Sequence, residues 1–200
     1  MKILNSKIAY KGKYLKVIEK EFLDKNGKKE IWECVNRKDA VFIFALTKKK
    51  EVILEKIFRV PVNSFVISLP AGTIDKKRDK PQNVARRELL EETGYLAEKL
   101  IPFLKFPPNP GVLMEEGILF FVPEVEYTGK RKTEDTEEIE VLKIPLKKLE
   151  NFQGEEATVL TASPTSGTST TSVTFTTNGT PSQTNNVALG TGHVKAIGDY

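Results

Sequence analysis

The stretch between Pro81 and Thr93 restricts this chain more than any other. Val84, Ala85, Leu89 and Leu90 recur with a helical period and can face a core, while Arg86, Glu88, Glu91 and Glu92 stay available for other work. Asp79 is the expected N-cap with Pro81 in the first turn, and Gly94 stands where a left-handed C-terminal residue is wanted. Glu88, Glu91 and Glu92 fall at i, i+3 and i+4 and so share one helix face. Like charges at this spacing oppose the helix by roughly 0.2–0.5 kcal/mol per pair in water, a cost that bound cations remove. Oxygen-only ligands on a rigid helix suit a hard divalent ion, and magnesium completes its octahedron with waters and substrate phosphates. The pattern therefore points to diphosphate chemistry; the bland alternative is an exposed helix with surface glutamates.

Strand-like runs surround this helix. Residues 14–23 and 30–36 flank Asp24-Lys25-Asn26-Gly27, an Asn-Gly hairpin signal. Ala40–Thr47, Glu51–Phe58 and Ser64–Leu69 precede the helix; Phe103–Phe106, Gly117–Val125 and Ile139–Ile144 follow it, and Leu146–Phe152 begins a short helix. Strands, one helix, strands and a closing helix describe an α+β domain without internal repeats.

Composition divides the chain near residue 155. Of 58 charged residues, 56 precede Ala157, and the final 44 residues carry seventeen Ser and Thr. Residues 155–200 are thus set apart as a low-charge tail, with weak β alternation near Val173–Phe175 and Val187–Leu189 and a turn signal at Asn178-Gly179. Disorder, an added hairpin or a segment fused from elsewhere all fit its composition. His193, the sole histidine, lies there and receives no catalytic role.

The net charge of +4 is spread thinly, and Lys48–Lys50 and Lys76-Lys77-Arg78 read as solvated loops, so nucleic acid is not an expected partner. Cys34 is the only cysteine, which excludes an internal disulfide and a cysteine-based zinc site. The N-terminal residues lack a signal-peptide core, and apolar runs such as Ala40–Leu46 are too short to span a bilayer. The expectation is a cytoplasmic protein with no membrane partner.

Leu69-Pro70-Ala71-Gly72, a polar loop and then Arg87-Glu88-x-x-Glu91-Glu92-x-Gly94-Tyr95 resemble the Nudix box, G-x5-E-x7-R-E-U-x-E-E-x-G-U with U a bulky apolar residue. From Gly72 the loop is one residue longer than that pattern, and Asp79 takes the place of its first Glu. The resemblance implies a Nudix fold, a mixed β-sheet sandwiched by helices, preceded by an N-terminal β-hairpin. It implies residues 1–37 as the hairpin region and 38–154 as the catalytic domain. It implies Glu88 and Glu92 as principal ligands of magnesium, or of manganese in its stead, with Glu91 in support and the Ala71 carbonyl as a further ligand. Arg87 would orient a carboxylate.

Substrate choice must come from outside the box. Asn109-Pro110-Gly111-Val112-Leu113-Met114-Glu115 is similar to the Ser-Pro-Gly-x-x-x-Glu loop of ADP-ribose pyrophosphatases, with Pro110 fifteen residues after Tyr95. In that resemblance Pro110, Gly111 and Glu115 contact substrate. Arg59, and more weakly Arg37, match arginines that reach the phosphates ahead of the box. Glu134 to Val141 resembles the acidic segment that supplies a general base, with Glu137 preferred to Glu134. That subfamily often carries Glu directly before Leu-Pro-Ala-Gly; here Ser68 stands there. Its hairpin commonly crosses to a second subunit, so a homodimer is implied, with Trp32 and Tyr14 as candidate aromatic faces for a base. The reading is hydrolysis of a nucleoside diphosphate sugar, ADP-ribose foremost; another nucleotide, or a catalytically silent binding domain, is the alternative.

Overall fold

The computed structural model describes residues 1–75, 79–133 and 138–151, and within the tail the backbone of 160–164, 171–175, 187–189 and 194–196. Three antiparallel strands open the chain: β1 (Lys2–Lys11), β2 (Lys16–Leu23) and β3 (Lys29–Asn36). The β2–β3 turn follows its sequence signal. Gly27 has φ +79, and the Asp24 carboxylate accepts the N–H groups of Asn26 and Lys28, both at 2.8 Å.

An eight-stranded mixed sheet forms the body. It comprises β4 (Ala40–Thr47), β5 (Glu51–Arg59), β6 (Ser64–Ser68), β7 (Ala71–Thr73), β8 (Tyr95–Leu96), β9 (Ile101–Phe106), β10 (Gly117–Tyr127) and β11 (Ile139–Pro145). Its path runs β11-β5-β4-β10-β8, with β6 on β5, β7 on β4 and β9 on β10. Within this sheet, among the described residues, only β4 and β10 pair in parallel, and a parallel pair belongs where both faces are covered. Alternation divides the core accordingly. Val41, Ile43, Ala45 and Ile53 pack with Val84, Ala85 and Leu89 of helix α1 (Pro81–Thr93) on one face. Phe44, Leu46, Val52 and Leu54 pack with Leu149, from the 3-10 turn Leu146–Asn151, on the other.

Helix α1 starts one residue later than the sequence suggests. Lys80, not Asp79, is the N-cap; its ammonium cannot accept an N–H and makes no capping bond, and Pro81 sets the backbone of the first turn. Gly94 ends the helix at φ +76, its N–H donating to Leu90 O at 2.9 Å. Thr128 donates to Gly94 O from both N–H and Oγ1, and the Lys132 N–H reaches Glu91 O at 2.9 Å, so the last turn is anchored from β10 onward.

In the tail, β12 (Leu160–Pro164) pairs with β13 (Thr171–Phe175) and β14 (Val187–Leu189) with β15 (Val194–Ala196). The Asn178-Gly179 turn lies outside the described residues. No helix among the described residues is long and apolar enough to cross a membrane.

One glycine shows how tightly the face opposite α1 is filled. A Cβ at Gly117 would stand 2.9 Å from Phe106 Cζ and 3.0 Å from Phe42 Cε2. Those two rings already pack at 5.3 Å between centroids. Gly117→Ala is expected to destabilise the fold by about 1–3 kcal/mol, the usual cost of overpacking. Urea denaturation measures it, and an unchanged midpoint would contradict this packing.

Candidate active site

The helix carboxylates meet the chain at the turn that follows β6. Strand β7 is held on β4 through the Phe42–Ala71 and Val41–Gly72 pairs, and the Ile43 N–H donates to Pro70 O at 2.9 Å. This fixes the backbone of residues 70–73 alongside α1. Glu92, 7% exposed, accepts the Ala71 N–H on Oε2 at 3.2 Å. Glu88 lies so close to Gly72 that a Cβ there would be 2.1 Å from its Cγ. Glycine is therefore a steric requirement of the Glu88 position.

Arg87 governs the third carboxylate. Its guanidinium donates to Glu88 Oε1 at 2.6 Å and lies 3.6 Å from Glu91 Oε2. The hydrogen bond to Glu88, reinforced by the charges of Glu88, Glu91 and Asp79, raises the Arg87 pKa against the opposing effect of burial. The Glu88 side chain is 18% exposed and that of Glu91 42%, so the three are graded from enclosed to open.

This donor set fits a hard divalent cation. Two carboxylates are pressed against one backbone turn and a third lies at the rim, all oxygen ligands. Among the described residues no three acidic, His or Cys side chains converge as a finished cage. The reason is visible in the contacts: Arg87 draws Glu88 and Glu91 to itself, while Glu92 is turned toward the Ala71 N–H.

The second cluster surrounds residues 109–116. The Val35 N–H donates to Val112 O at 2.8 Å and the Met114 N–H to Val35 O at 2.9 Å, so this loop pairs with the edge of β3. Trp32 Nε1 donates to Gly111 O at 2.9 Å. An open groove of about 570 Å³ lies here, lined by Glu19, Ile31, Trp32, Glu33, Gly111 and Val112. Arg37 and Glu115 face one another, Nε to Oε2 at 3.4 Å, with the Glu115 side chain 6% exposed. The two residues read separately from the sequence as substrate contacts are thus partners.

Sequence reading missed the hub between the two clusters. Asp39 accepts the Glu116 N–H on Oδ1 at 2.8 Å and the Ile74 N–H on its carbonyl at 2.8 Å, while Lys38 pairs with Asp75 at 2.7 Å. Residues 37–39 therefore tie the 109–116 loop to the loop after β7. Arg59 is exposed at the end of β5, and Tyr14 is exposed beyond β1. Pro110 lies at the exposed tip of the 109–116 loop. Glu134 and Glu137 lie outside the described residues.

Comparison with known proteins agrees with this geometry. The NUDIX domain family model matches residues 36–162. An ADP-ribose pyrophosphatase of Bacillus subtilis (strain 168) is 33% identical over 138 residues, covering 68% of this chain and 74% of that protein. An ADP-sugar pyrophosphatase of Mus musculus is 32% identical over 127 residues, covering 58% of this chain and 55% of that protein. A solved structure described as an ADP compounds hydrolase superimposes with TM-score 0.63 at 21% identity, covering 74% of this chain and 79% of that one, a likeness of fold. The intact run from Arg87 to Tyr95, its seating against Ala71 and Gly72, and the match over residues 36–162 lead to one conclusion: this chain belongs to the Nudix family and is a Nudix hydrolase.

Proposed function

We propose that the chain hydrolyses the diphosphate of a nucleoside diphosphate sugar, with ADP-ribose giving AMP and ribose 5-phosphate as the favoured reaction, and that magnesium, or manganese in its stead, is the cofactor. The observation that carries the nucleotide-sugar reading is the Trp32–Gly111 bond. It holds an aromatic side chain of β3 and an open groove against the loop that carries Glu115, the partner of Arg37. A base stacked at Trp32 and a diphosphate near Arg37 and Arg59 would extend toward α1.

In this reading Glu88, Glu92 and the Ala71 carbonyl hold the cations and Glu91 supports them. Bound cations supply charge neutralisation of the diphosphate and activation of a water for in-line attack at phosphorus. Arg87 keeps Glu88 oriented, and the 37–39 hub holds the two loops in register. Glu137 or Glu134 takes the proton from the attacking water. A cytoplasmic homodimer completes the proposal, supported by the exposed apolar residues Ile3, Ile8 and Tyr10 along β1.

A guanine nucleotide sugar is the second reading, favoured by Glu19 and Glu33. They are cross-strand partners that line the groove, and a carboxylate can accept from the adjacent N1–H and N2–H donors of guanine. Lys7 pairs with Glu19 at 2.7 Å. The test is hydrolysis of ADP-ribose, GDP-mannose and 8-oxo-dGTP by the full chain with magnesium. Preferential cleavage of ADP-ribose supports the first reading; an intact ADP-ribose beside a cleaved competitor overturns it. Trp32→Ala should raise KM for the preferred substrate roughly tenfold with kcat little changed, as loss of one stacking contact predicts. An unaltered KM would remove Trp32 from the base site.

A further inference from the structure

Strand β5 reads Val52-Ile53-Leu54-Glu55-Lys56-Ile57, an apolar run interrupted by a glutamate that is 1% exposed. Its register is continuous: Glu55 stands opposite Ser68 on β6 and Val141 on β11. Ile53 belongs to the α1 side of the core and Ile67 to the other side. Strand alternation therefore puts Glu55 and Ser68 together on the face that carries α1. Glu55, like Glu88 and Glu92, is engaged by neighbouring groups. The Ser68 Oγ is shut away from solvent with no hydrogen-bond partner among the described residues.

Packing alone does not account for a carboxyl group here, because burying its polar oxygens costs stability that leucine or valine would not. Its address suggests the reason. Ser68 leads directly into Leu69-Pro70-Ala71-Gly72, the turn against which Glu92 and Glu88 are seated. We propose that Glu55, buried opposite Ser68 on the β5–β6 ladder, acts as a positioning residue for the cation-binding turn that Ser68 enters. A carboxyl group at this place steadies the polar groups that lead into the turn and so holds the cation ligands in position.

The inference rests on the reading that Glu88, Glu92 and Ala71 hold a divalent cation. Its test is Mn²⁺ titration by calorimetry without substrate, on the full chain and on Glu55→Gln, Glu55→Ser and the double variant Glu55→Ser with Ser68→Glu. The single variants should bind Mn²⁺ about tenfold more weakly and lose kcat in proportion, with KM little changed, as for other residues that orient metal ligands. The double variant should recover most of both. Mn²⁺ affinity unchanged in Glu55→Gln, or a double variant no better than Glu55→Ser, overturns the inference. Glu55→Gln keeps the side-chain shape and guards against simple misfolding, which a thermal melt checks. A parent protein that binds no Mn²⁺ would instead sink the cation reading itself. Failure to cleave ADP-ribose would leave the titration intact.

Discussion

Glu92→Gln is expected to give a folded protein whose turnover falls by roughly a thousandfold, since cation stabilisation of several kcal/mol at about 1.4 kcal/mol per decade would be lost. The fold survives because glutamine keeps an oxygen that can accept the Ala71 N–H, the bond Glu92 makes at 3.2 Å. Removing one of two like charges at i and i+4 even relieves roughly 0.2–0.5 kcal/mol of repulsion with Glu88. The melting temperature should therefore hold or rise slightly without magnesium, while the added stability that magnesium confers on the parent protein shrinks. Glu91→Gln should cost far less, about tenfold in kcat, because that side chain is the most exposed of the three and faces the rim. Steady-state kinetics and melts with and without magnesium measure both variants. Turnover within a few-fold of the parent in Glu92→Gln would refute the ligand assignment.

How far the sequence speaks depends on whether a structural decision is local. The end of α1 is local: Gly94 is the residue that a left-handed cap requires, and it takes that role. So is the β2–β3 turn at Gly27. The start of α1 falls one residue after Asp79, with Pro81 at the first helical position, where its fixed φ suits the helix and its missing N–H costs nothing. Strand β1 was not foreseen, and its pattern explains why. Register shifts between Ile3 and Asn5 and between Ile8 and Tyr10 interrupt the period of two, and every residue of the strand is exposed. The short β7 and β8 exist only because β4 and β10 provide partners, which no local window reveals.

The same division holds at the site. Helical spacing puts Glu88, Glu91 and Glu92 on one helix face; in the structure Arg87 contacts Glu88 and Glu91, while Glu92 accepts the Ala71 N–H. What spacing does not convey is which neighbours claim each carboxylate. The Arg37–Glu115 pair joins residues far apart in the chain, and Asp39 acts through backbone groups that leave no sequence signature. Glu55 did have a signal, a charge inside an apolar strand, but its meaning depends on the β5–β6 register that sets Ser68 opposite.

Gly72→Ala separates chemistry from stability most sharply. A methyl group at this position would lie 2.1 Å from Glu88 Cγ, 2.4 Å from Cδ and 2.6 Å from Oε1. One side must move. Strand β7 is pinned by its pairs with β4 and by the Ile43–Pro70 hydrogen bond, whereas Glu88 is a flexible side chain with Arg87 ready to hold it elsewhere. The carboxylate therefore leaves and the strand stays. The cost to the fold is small, because extended backbone accepts alanine and a glycine replacement of this kind often contributes about 0.4–1 kcal/mol through the unfolded chain. Gly117→Ala is the control: there the clash is with core rings, and stability is what suffers. For Gly72→Ala the expected result is a melting temperature within a few degrees of the parent and kcat lower by about a hundredfold, the scale of a 1 Å misplacement in a reacting centre. Magnesium affinity should fall with it. A fully active Gly72→Ala enzyme would mean that Glu88 works from somewhere other than its seat against the turn.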